Sequence, residues 1–180
     1  GLPFILLGID TADLPLLFRI IYLIIYQLLM LGIVAFIFRD RLKRDYEDLK
    51  QNHQTYFKKY FKYWFLILIL MMASNILITL VTNSNIAANE EMIRENFQVS
   101  PIYVFISAVL IAPFLEELVL RLGFRYMFPS KWLFIILSGF VFGGLHVFTS
   151  AQTLVELLYI IPYGIPGLVF AYILDESDNI

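Results

Sequence analysis

The chain has 180 residues, of which 60% are hydrophobic and 16% are charged, and its mean hydropathy is +0.78. Soluble domains are only about 45–50% apolar, so this composition excludes an ordinary water-soluble protein and indicates a polytopic helical membrane protein. The absence of cysteine excludes disulfides, cysteine metal sites and a cysteine nucleophile, whereas a net charge of −2 excludes no class of function.

Five membrane spans are expected along the chain. Residues 1–13 are apolar but too short to cross a bilayer, because a spanning helix needs about 20 residues. The longer apolar runs predict spans at about 14–38, 63–81, 101–120, 132–148 and 154–174. The predicted fold class is therefore all-α, a polytopic transmembrane helical bundle that forms one domain over residues 1–180.

The charges are clustered between the spans. Residues 39–62 hold eight Lys or Arg against four acids, so the positive-inside rule predicts that this segment is cytoplasmic in a multi-pass protein of the cell membrane. We expect it to form a helix along the membrane surface in contact with anionic lipids. Residues 82–100 have Arg94 as their only base and are expected to form an external loop.

Small and polar residues within the spans predict contacts between helices. Ser74 and Asn75 lie in the second span, where such side chains usually hydrogen-bond to a neighbouring helix. Gly139 and Gly143 are four residues apart in the fourth span, a spacing that lets another helix backbone approach closely.

The third span carries charged residues in an otherwise apolar run. An ionised side chain at the centre of a bilayer costs roughly 2.5–3.5 kcal/mol, so Glu116 and Glu117 indicate a function. Glu117 and Arg121 are four residues apart and share a helix face, so they can form a salt bridge. Glu116 is turned about 100° away from Glu117. The pattern indicates one carboxylate for chemistry and a second, paired one for positioning.

His146 in the fourth span is the candidate partner of Glu116. A carboxylate and an imidazole inside the membrane can hold a water molecule between them and remove its proton. The alternative is a satisfied polar cluster of Glu116, Glu117, Arg121 and His146 that only locks helix packing. His53, the other histidine, lies in the charged segment and is interpreted as a surface residue.

A comparison of depths gives only partial support to contact between the two residues. Glu116 lies nine residues before Arg125, or about 13 Å at 1.5 Å per residue. His146 lies fifteen residues after Lys131, or about 22 Å. If Arg125 and Lys131 mark the same membrane interface, the depths of Glu116 and His146 differ by more than one helical turn. A tilted helix, or a 122–131 loop buried below the interface, would close this gap.

Other kinds of site are less well supported. There is no His-Glu-x-x-His motif, although Glu116, Glu117 and His146 could supply three zinc ligands if Glu117 were not paired with Arg121. A divalent metal such as zinc, held by Glu116 and His146, stays an open alternative to a site without a cofactor. No Gly-x-Ser-x-Gly motif supports a serine nucleophile. Nucleic acid is not an expected partner, because the only basic segment is small and lies beside a membrane.

The charged residues also match a known family. Glu116-Glu117-x-x-x-Arg121, followed by Phe142-x-x-x-His146 on the next apolar segment, resembles the CAAX protease and bacteriocin-processing family of intramembrane proteases. This family, also called CPBP or Abi, includes the type II CAAX prenyl endopeptidases. The resemblance covers about residues 101–180, and the earlier spans match in type only.

The resemblance implies an endopeptidase that hydrolyses a peptide bond in a membrane-associated peptide or protein. Glu116 and His146 would activate the attacking water, Glu117 and Arg121 would support the site, and Phe142 would pack beside it. The substrate could be a prenylated CAAX tail, a bacteriocin leader or a signalling peptide.

A third motif of the family separates this hypothesis from its alternative. The motif is a His followed four residues later by Asn or Asp, thought to stabilise the oxyanion, and we expect it on a further helix after Ile180. The alternative is a non-catalytic member of the family that acts in regulation or bacteriocin immunity, with another membrane protein as its possible partner.

Overall fold

The structure is a computed structural model that describes residues 15–82, 88–148, 150–151 and 153–180. The apolar piece expected at 1–13 lies outside these residues. The described residues are almost entirely helical and include no strand, which confirms the predicted all-α class. They form six helices: α1 (Leu16–Ile37), α2 (Arg39–Thr82), α3 (Ala88–Val99), α4 (Pro101–Met127), α5 (Lys131–Val147) and α6 (Val155–Ser177).

Four of these helices, α1, α2, α4 and α6, are long and apolar enough to cross a membrane. The fifth apolar helix, α5, is shorter, with 17 residues. These five helices correspond to the five expected spans, and the chain is a multi-pass membrane protein. The first residues of α6, Val155–Tyr159, form a 3₁₀ turn before the α-helix proper begins at Ile160.

The second helix is much longer than the expected span. It has 44 residues, which corresponds to about 66 Å, whereas the hydrocarbon core of a bilayer is about 30 Å thick. The basic segment 39–62 is therefore the first half of α2, continuous with the apolar half, and not a separate surface helix. The segment expected to be an external loop likewise contains a helix, α3, of 12 residues. Which side of the membrane each segment faces stays a prediction.

Glycines hold α5 and α6 at backbone contact, as the spacing of Gly139 and Gly143 predicted. A Cβ on Gly143 would lie 2.5 Å from the Ile160 carbonyl oxygen and 2.9 Å from the Gly164 nitrogen. A Cβ on Gly167 would lie 2.8 Å from Cα of Gly139. Real side chains cannot come this close, so the contact requires glycine on both helices. This pair forms the most extensive helix–helix contact among the described residues.

The acidic end of α6 binds cations from three other parts of the chain, in a set of contacts that we call the tail clamp (Arg41, Arg44, Asp45, Asp48, Lys59, Arg125, Lys131, Asp175, Glu176, Asp178, Asn179 and Ile180). Asp175 lies 3.0 Å from Arg125 Nη2 and 3.1 Å from Lys131 Nζ. Glu176 lies 2.7 Å from Lys59 Nζ. The end of α6, the end of α4 and the start of α5 are thereby fixed at one end of the bundle.

The last residues of the chain continue the tail clamp along α2. Asp178 accepts hydrogen bonds from Arg41 Nη2 at 2.7 Å and from Arg44 Nη2 at 3.1 Å. Asp45 is buried, and its carboxylate accepts bonds from Arg41 Nε at 2.8 Å and from the Ile180 backbone nitrogen at 3.2 Å. The basic half of α2 therefore lies at the same end of the bundle as the 125–131 turn.

Candidate active site

The predicted acids lie where α4 departs from regular α-helical geometry. Glu116 ends a short α-helical stretch, and Glu117–Gly123 forms π-type turns, in which each hydrogen bond joins residue i to i+5. The hydroxyl of Ser138 on α5 donates a hydrogen bond of 2.9 Å to the carbonyl oxygen of Leu120 in this stretch. Ser138 is fully buried, so this bond fixes the wide turns of α4 against α5.

The two neighbouring carboxylates line different cavities. Glu116 lines a cavity of about 330 Å³ between α1, α4 and α5, together with Gln27 and Leu145. Glu117 lines a cavity of about 540 Å³ whose other walls come from α1, α2, α4 and Ile180. Almost all the remaining lining of both cavities is apolar. Because each acid lines its own cavity, the two carboxylates face different spaces.

Arg121 is buried between α4, α5 and α6. Its side chain is 0% exposed, and its Nε lies 3.6 Å from Oε1 of Glu117. The guanidinium carbon lies 4.4 Å from the ring centre of Phe142 and 6.0 Å from that of Phe170. The charge is therefore balanced by one carboxylate and by aromatic faces, which attract cations electrostatically.

The His146 ring is held in a defined orientation near the end of α5. Its Nδ1 lies 2.9 Å from the carbonyl oxygen of Phe142. A carbonyl can only accept a hydrogen bond, so Nδ1 carries a proton, and in the neutral form of the ring Nε2 is then an acceptor. The ring stacks on Tyr163 of α6 at 5.2 Å between centroids and lies 4.6 Å from the Phe142 ring.

Glu116 and His146 are brought to similar depths by the fold. Leu145, the residue before His146, lines the same cavity as Glu116. The Glu116 carboxylate also interacts electrostatically with both His146 and Arg121. The comparison of depths from the sequence treated α4 and α5 as perpendicular to the membrane. It gave a difference of more than one helical turn between Glu116 and His146, which the structure does not show. His146 itself lines a third cavity, on the side of α5 that faces α2 and α3.

The residues present do not form a complete zinc site. Among the described residues, no three His, Cys, Asp or Glu side chains come together as a metal-binding group. Glu117, the third candidate ligand, lies beside Arg121 and lines a different cavity from Glu116. Glu116 and His146 alone supply two ligands, whereas protein zinc sites use three or four.

Two residues near His146 were not assigned to the site from the sequence. Tyr163 stacks on the imidazole, and Asn75 lines the cavity into which His146 faces. The sequence signal for Asn75 was its position as a polar residue in an apolar span. No signal marked Tyr163, because a tyrosine among apolar residues is an ordinary core residue. His53, by contrast, is exposed on α2, as expected for a surface residue.

Comparison with protein families matches residues 98–180 to the model described as type II CAAX prenyl endopeptidase Rce1-like. Residues 98–180, a little under half of the chain, are related to the CAAX proteases. This CAAX protease relationship, predicted from the motifs, is therefore confirmed over α4, α5 and α6, which carry all five predicted site residues. Comparison with curated proteins and with solved structures gave no match. The relationship associates the chain with peptide-bond hydrolysis at a membrane, and the role of each site residue stays a prediction.

Proposed function

We propose that the chain is a CAAX-type intramembrane endopeptidase in which Glu116 and His146 activate a water molecule. The proposal is carried by geometry: Leu145, the residue before His146, lines the same cavity as Glu116, and the His146 imidazole is oriented by the carbonyl of Phe142. The lining around Glu116 is almost entirely apolar, and in an apolar site charge interactions are stronger than in water.

In this proposal the two residues act on a water molecule and the peptide. Glu116 accepts one proton of the water while Nε2 of His146 accepts a hydrogen bond from the other. The water oxygen forms a bond to the carbonyl carbon of the substrate, and the electrons of the C=O bond move to its oxygen. The oxyanion then re-forms the C=O bond as the C–N bond breaks, and the leaving amine takes the proton from Glu116.

The neighbouring residues position this pair. Phe142 supplies the carbonyl that orients His146, and its ring contacts both the imidazole and the guanidinium of Arg121. Arg121 interacts electrostatically with Glu117 and with Glu116. A change in the position of Arg121 would therefore alter the electrostatic surroundings of both acids. It would also shift the ring of Phe142, which contacts His146.

The test is cleavage in detergent of an internally quenched peptide that ends in a prenylated cysteine and three further residues. A general base contributes roughly 10²–10⁴-fold, so Glu116→Gln and His146→Ala should each lower kcat/KM by about that factor. Glu95→Gln is the matched control, because Glu95 is an exposed acid on α3.

Three results separate the alternatives. Unchanged cleavage by Glu116→Gln and His146→Ala would show that the assigned pair is wrong. Cleavage that is lost with a chelator and restored by zinc would replace the proposal with a metal mechanism. No cleavage of prenylated, leader-type or signalling peptides by the wild-type protein would favour the non-catalytic regulatory function.

A further inference from the structure

A groove on the surface of the bundle lies between α2, α5 and α6. It has a volume of about 430 Å³, within the roughly 300–1,000 Å³ typical of ligand sites. Its lining consists of aromatic and aliphatic side chains and includes none of the five predicted site residues. The groove is therefore separate from the candidate active site.

The lining changes from aromatic to aliphatic along the groove. The aromatic residues are Tyr63 on α2, Trp132 on α5 and Tyr172 on α6, all at the end of the bundle that carries the tail clamp. About one helical turn further from the tail clamp, the same helices contribute aliphatic residues (Leu66, Ile136 and Leu168). Tyrosine and tryptophan are enriched at the headgroup level of membranes, and the hydrocarbon core lies beyond them. The groove thus has the polarity of a phospholipid along its length, with the headgroup at the tail clamp.

Two lysine side chains lie over the aromatic end of the groove. Lys131 Nζ lies 5.0 Å from the ring centre of Tyr172 and 5.8 Å from that of Trp132. Lys62 Nζ lies 5.3 Å from the ring centre of Tyr63. The rings of Tyr63 and Tyr172 are 5.9 Å apart, so the two ammonium groups flank one aromatic pair.

Cations outnumber acids at this end of the groove. Asp175 and Glu176 are the acids, and they lie among four cations (Lys59, Lys62, Arg125 and Lys131), which leaves an excess of two positive charges. The single carboxylate of Asp175 serves both Arg125 and Lys131. Lys62 is exposed and forms no ion pair with the part of the chain that the structure describes. The excess charge therefore favours an anionic ligand beside Lys62 and Lys131.

We propose that the groove binds an anionic glycerophospholipid from the surrounding bilayer. One acyl chain lies along the aliphatic residues, and the phosphate lies between Lys62 and Lys131. The acyl chain gains little from the groove, because lipid tails are as apolar as the side chains that they contact. Selectivity therefore comes from the headgroup, since each nearby lysine increases the affinity for an anionic lipid about fivefold. This site goes beyond the proposed hydrolysis and does not depend on it.

Trp132 in the groove allows lipid binding to be measured directly. The sequence has two tryptophans, so Trp64→Phe leaves Trp132 as the only one. This variant is reconstituted in phosphatidylcholine that contains increasing fractions of a lipid with brominated acyl chains, which quench tryptophan fluorescence on contact. Brominated phosphatidylglycerol should bind at least fivefold more tightly than brominated phosphatidylcholine at low salt. The difference should decrease at high salt, which screens exposed charges.

Variants of Lys62 in the same background locate the headgroup. Lys62→Gln should lower the preference for phosphatidylglycerol about fivefold, whereas Lys62→Arg, which keeps the charge, should retain most of it. Lys50→Gln is the matched control, because Lys50 is an exposed lysine of the same helix that lies about 18 Å further along α2. Its preference should stay within about twofold of that of the parent protein.

Three results would overturn the proposal. Equal quenching by both brominated lipids at low salt would show that the groove holds bilayer lipid without selectivity. An unchanged preference in Lys62→Gln would place the anionic lipid elsewhere on the protein. Quenching by either lipid that disappears as the protein is concentrated in the bilayer would show that a second copy of the chain covers the groove.

Discussion

The guanidinium of Arg121 lies against the ring of Phe142, 4.4 Å from its centre, while none of its three nitrogens makes a hydrogen bond within the described residues. The carboxylate of Glu117 lies 3.6 Å away, at the outer limit of an ion pair. The Arg121 guanidinium is held mainly by the Phe142 ring and by the more distant Glu117 charge, so its binding depends on the planar shape of the guanidinium. Lysine cannot stack in this way, so Arg121 is not replaceable by another cation.

Arg121→Met should destabilise the protein by about 1–3 kcal/mol, because it removes the cation beside Glu117, whose side chain is 36% exposed. Unfolding by denaturant in detergent measures the change. The double variant Glu117→Leu, Arg121→Met should recover much of the loss, since it removes both charges. Equal stability of Arg121→Met and wild type would show that the cation contributes nothing to the fold.

Gly143→Ala should destabilise the α5–α6 contact by about 1–3 kcal/mol, because its Cβ would lie 2.5 Å from the Ile160 carbonyl oxygen. Gly32→Ala is the control, since a Cβ there meets nothing within 4 Å and alanine favours a helix by roughly 1 kcal/mol over glycine. The melting temperatures of the two variants should therefore move in opposite directions. A stabilising effect of Gly143→Ala would contradict the close contact.

Asp175→Asn should cost about 1.5–3 kcal/mol, because the carboxylate is only 9% exposed and accepts charge-assisted bonds from Arg125 and Lys131. Asp40→Asn should change stability by less than about 0.5 kcal/mol, since Asp40 is exposed and lies 3.8 Å from Arg39. Thermal unfolding of the two variants at low salt tests the difference. Similar values for both would mean that the tail clamp is only a surface contact.

The tail clamp should weaken in acid because of Asp48, which lies on the basic half of α2 outside the membrane. A hydrogen bond from Tyr56 and others from Asn52 and Asn179 lower the pKa of its carboxyl group. The pKa of Asp48 in the folded protein is thus below its unfolded value of about 3.9. Its stabilising contribution is complete above that pH and is lost as the pH falls through the folded pKa.

Melting temperatures from pH 6 to pH 2 test this dependence. Asp48→Asn should fall less steeply than wild type below about pH 4, because the variant has no carboxyl group to protonate at this position. Glu47→Gln, a neighbouring exposed position, should follow the wild-type curve more closely. Parallel curves for wild type and Asp48→Asn would show that these hydrogen bonds do not contribute to folding.

The sequence predicted the helices better than the contacts made by charged residues. Apolar length located the spans, and the spacing of Gly139 and Gly143 predicted a close helix contact, since both signals are local. The bonds of Asp178 to Arg41 and Arg44 join residues 137 and 134 positions apart, and no local pattern indicates which of the chain's cations an acid will bind.

The local geometry of the candidate site was predictable from the sequence, but the contacts made by distant helices were not. Helical spacing placed Glu117 near Arg121 and turned Glu116 elsewhere, and the structure shows both features. Tyr163 and Asn75 come to His146 from helices that precede and follow it, so only the packing of α2 and α6 against α5 reveals them. The depth comparison gave a gap between Glu116 and His146 that the structure does not show, because depth depends on how the helices pack and not on residue counts alone.

The glycine contact between α5 and α6 also limits how a large molecule can reach the interior. Backbone atoms of the two helices touch, so no side chain between them can rotate aside to open a passage. By contrast, no residue of α1 is buried, and its Gln27 amide is linked to Ser107 on α4 by a hydrogen bond of 2.7 Å. The seam between α5 and α6 therefore offers no route for an extended chain, whereas the packing of α1 against α4 is looser.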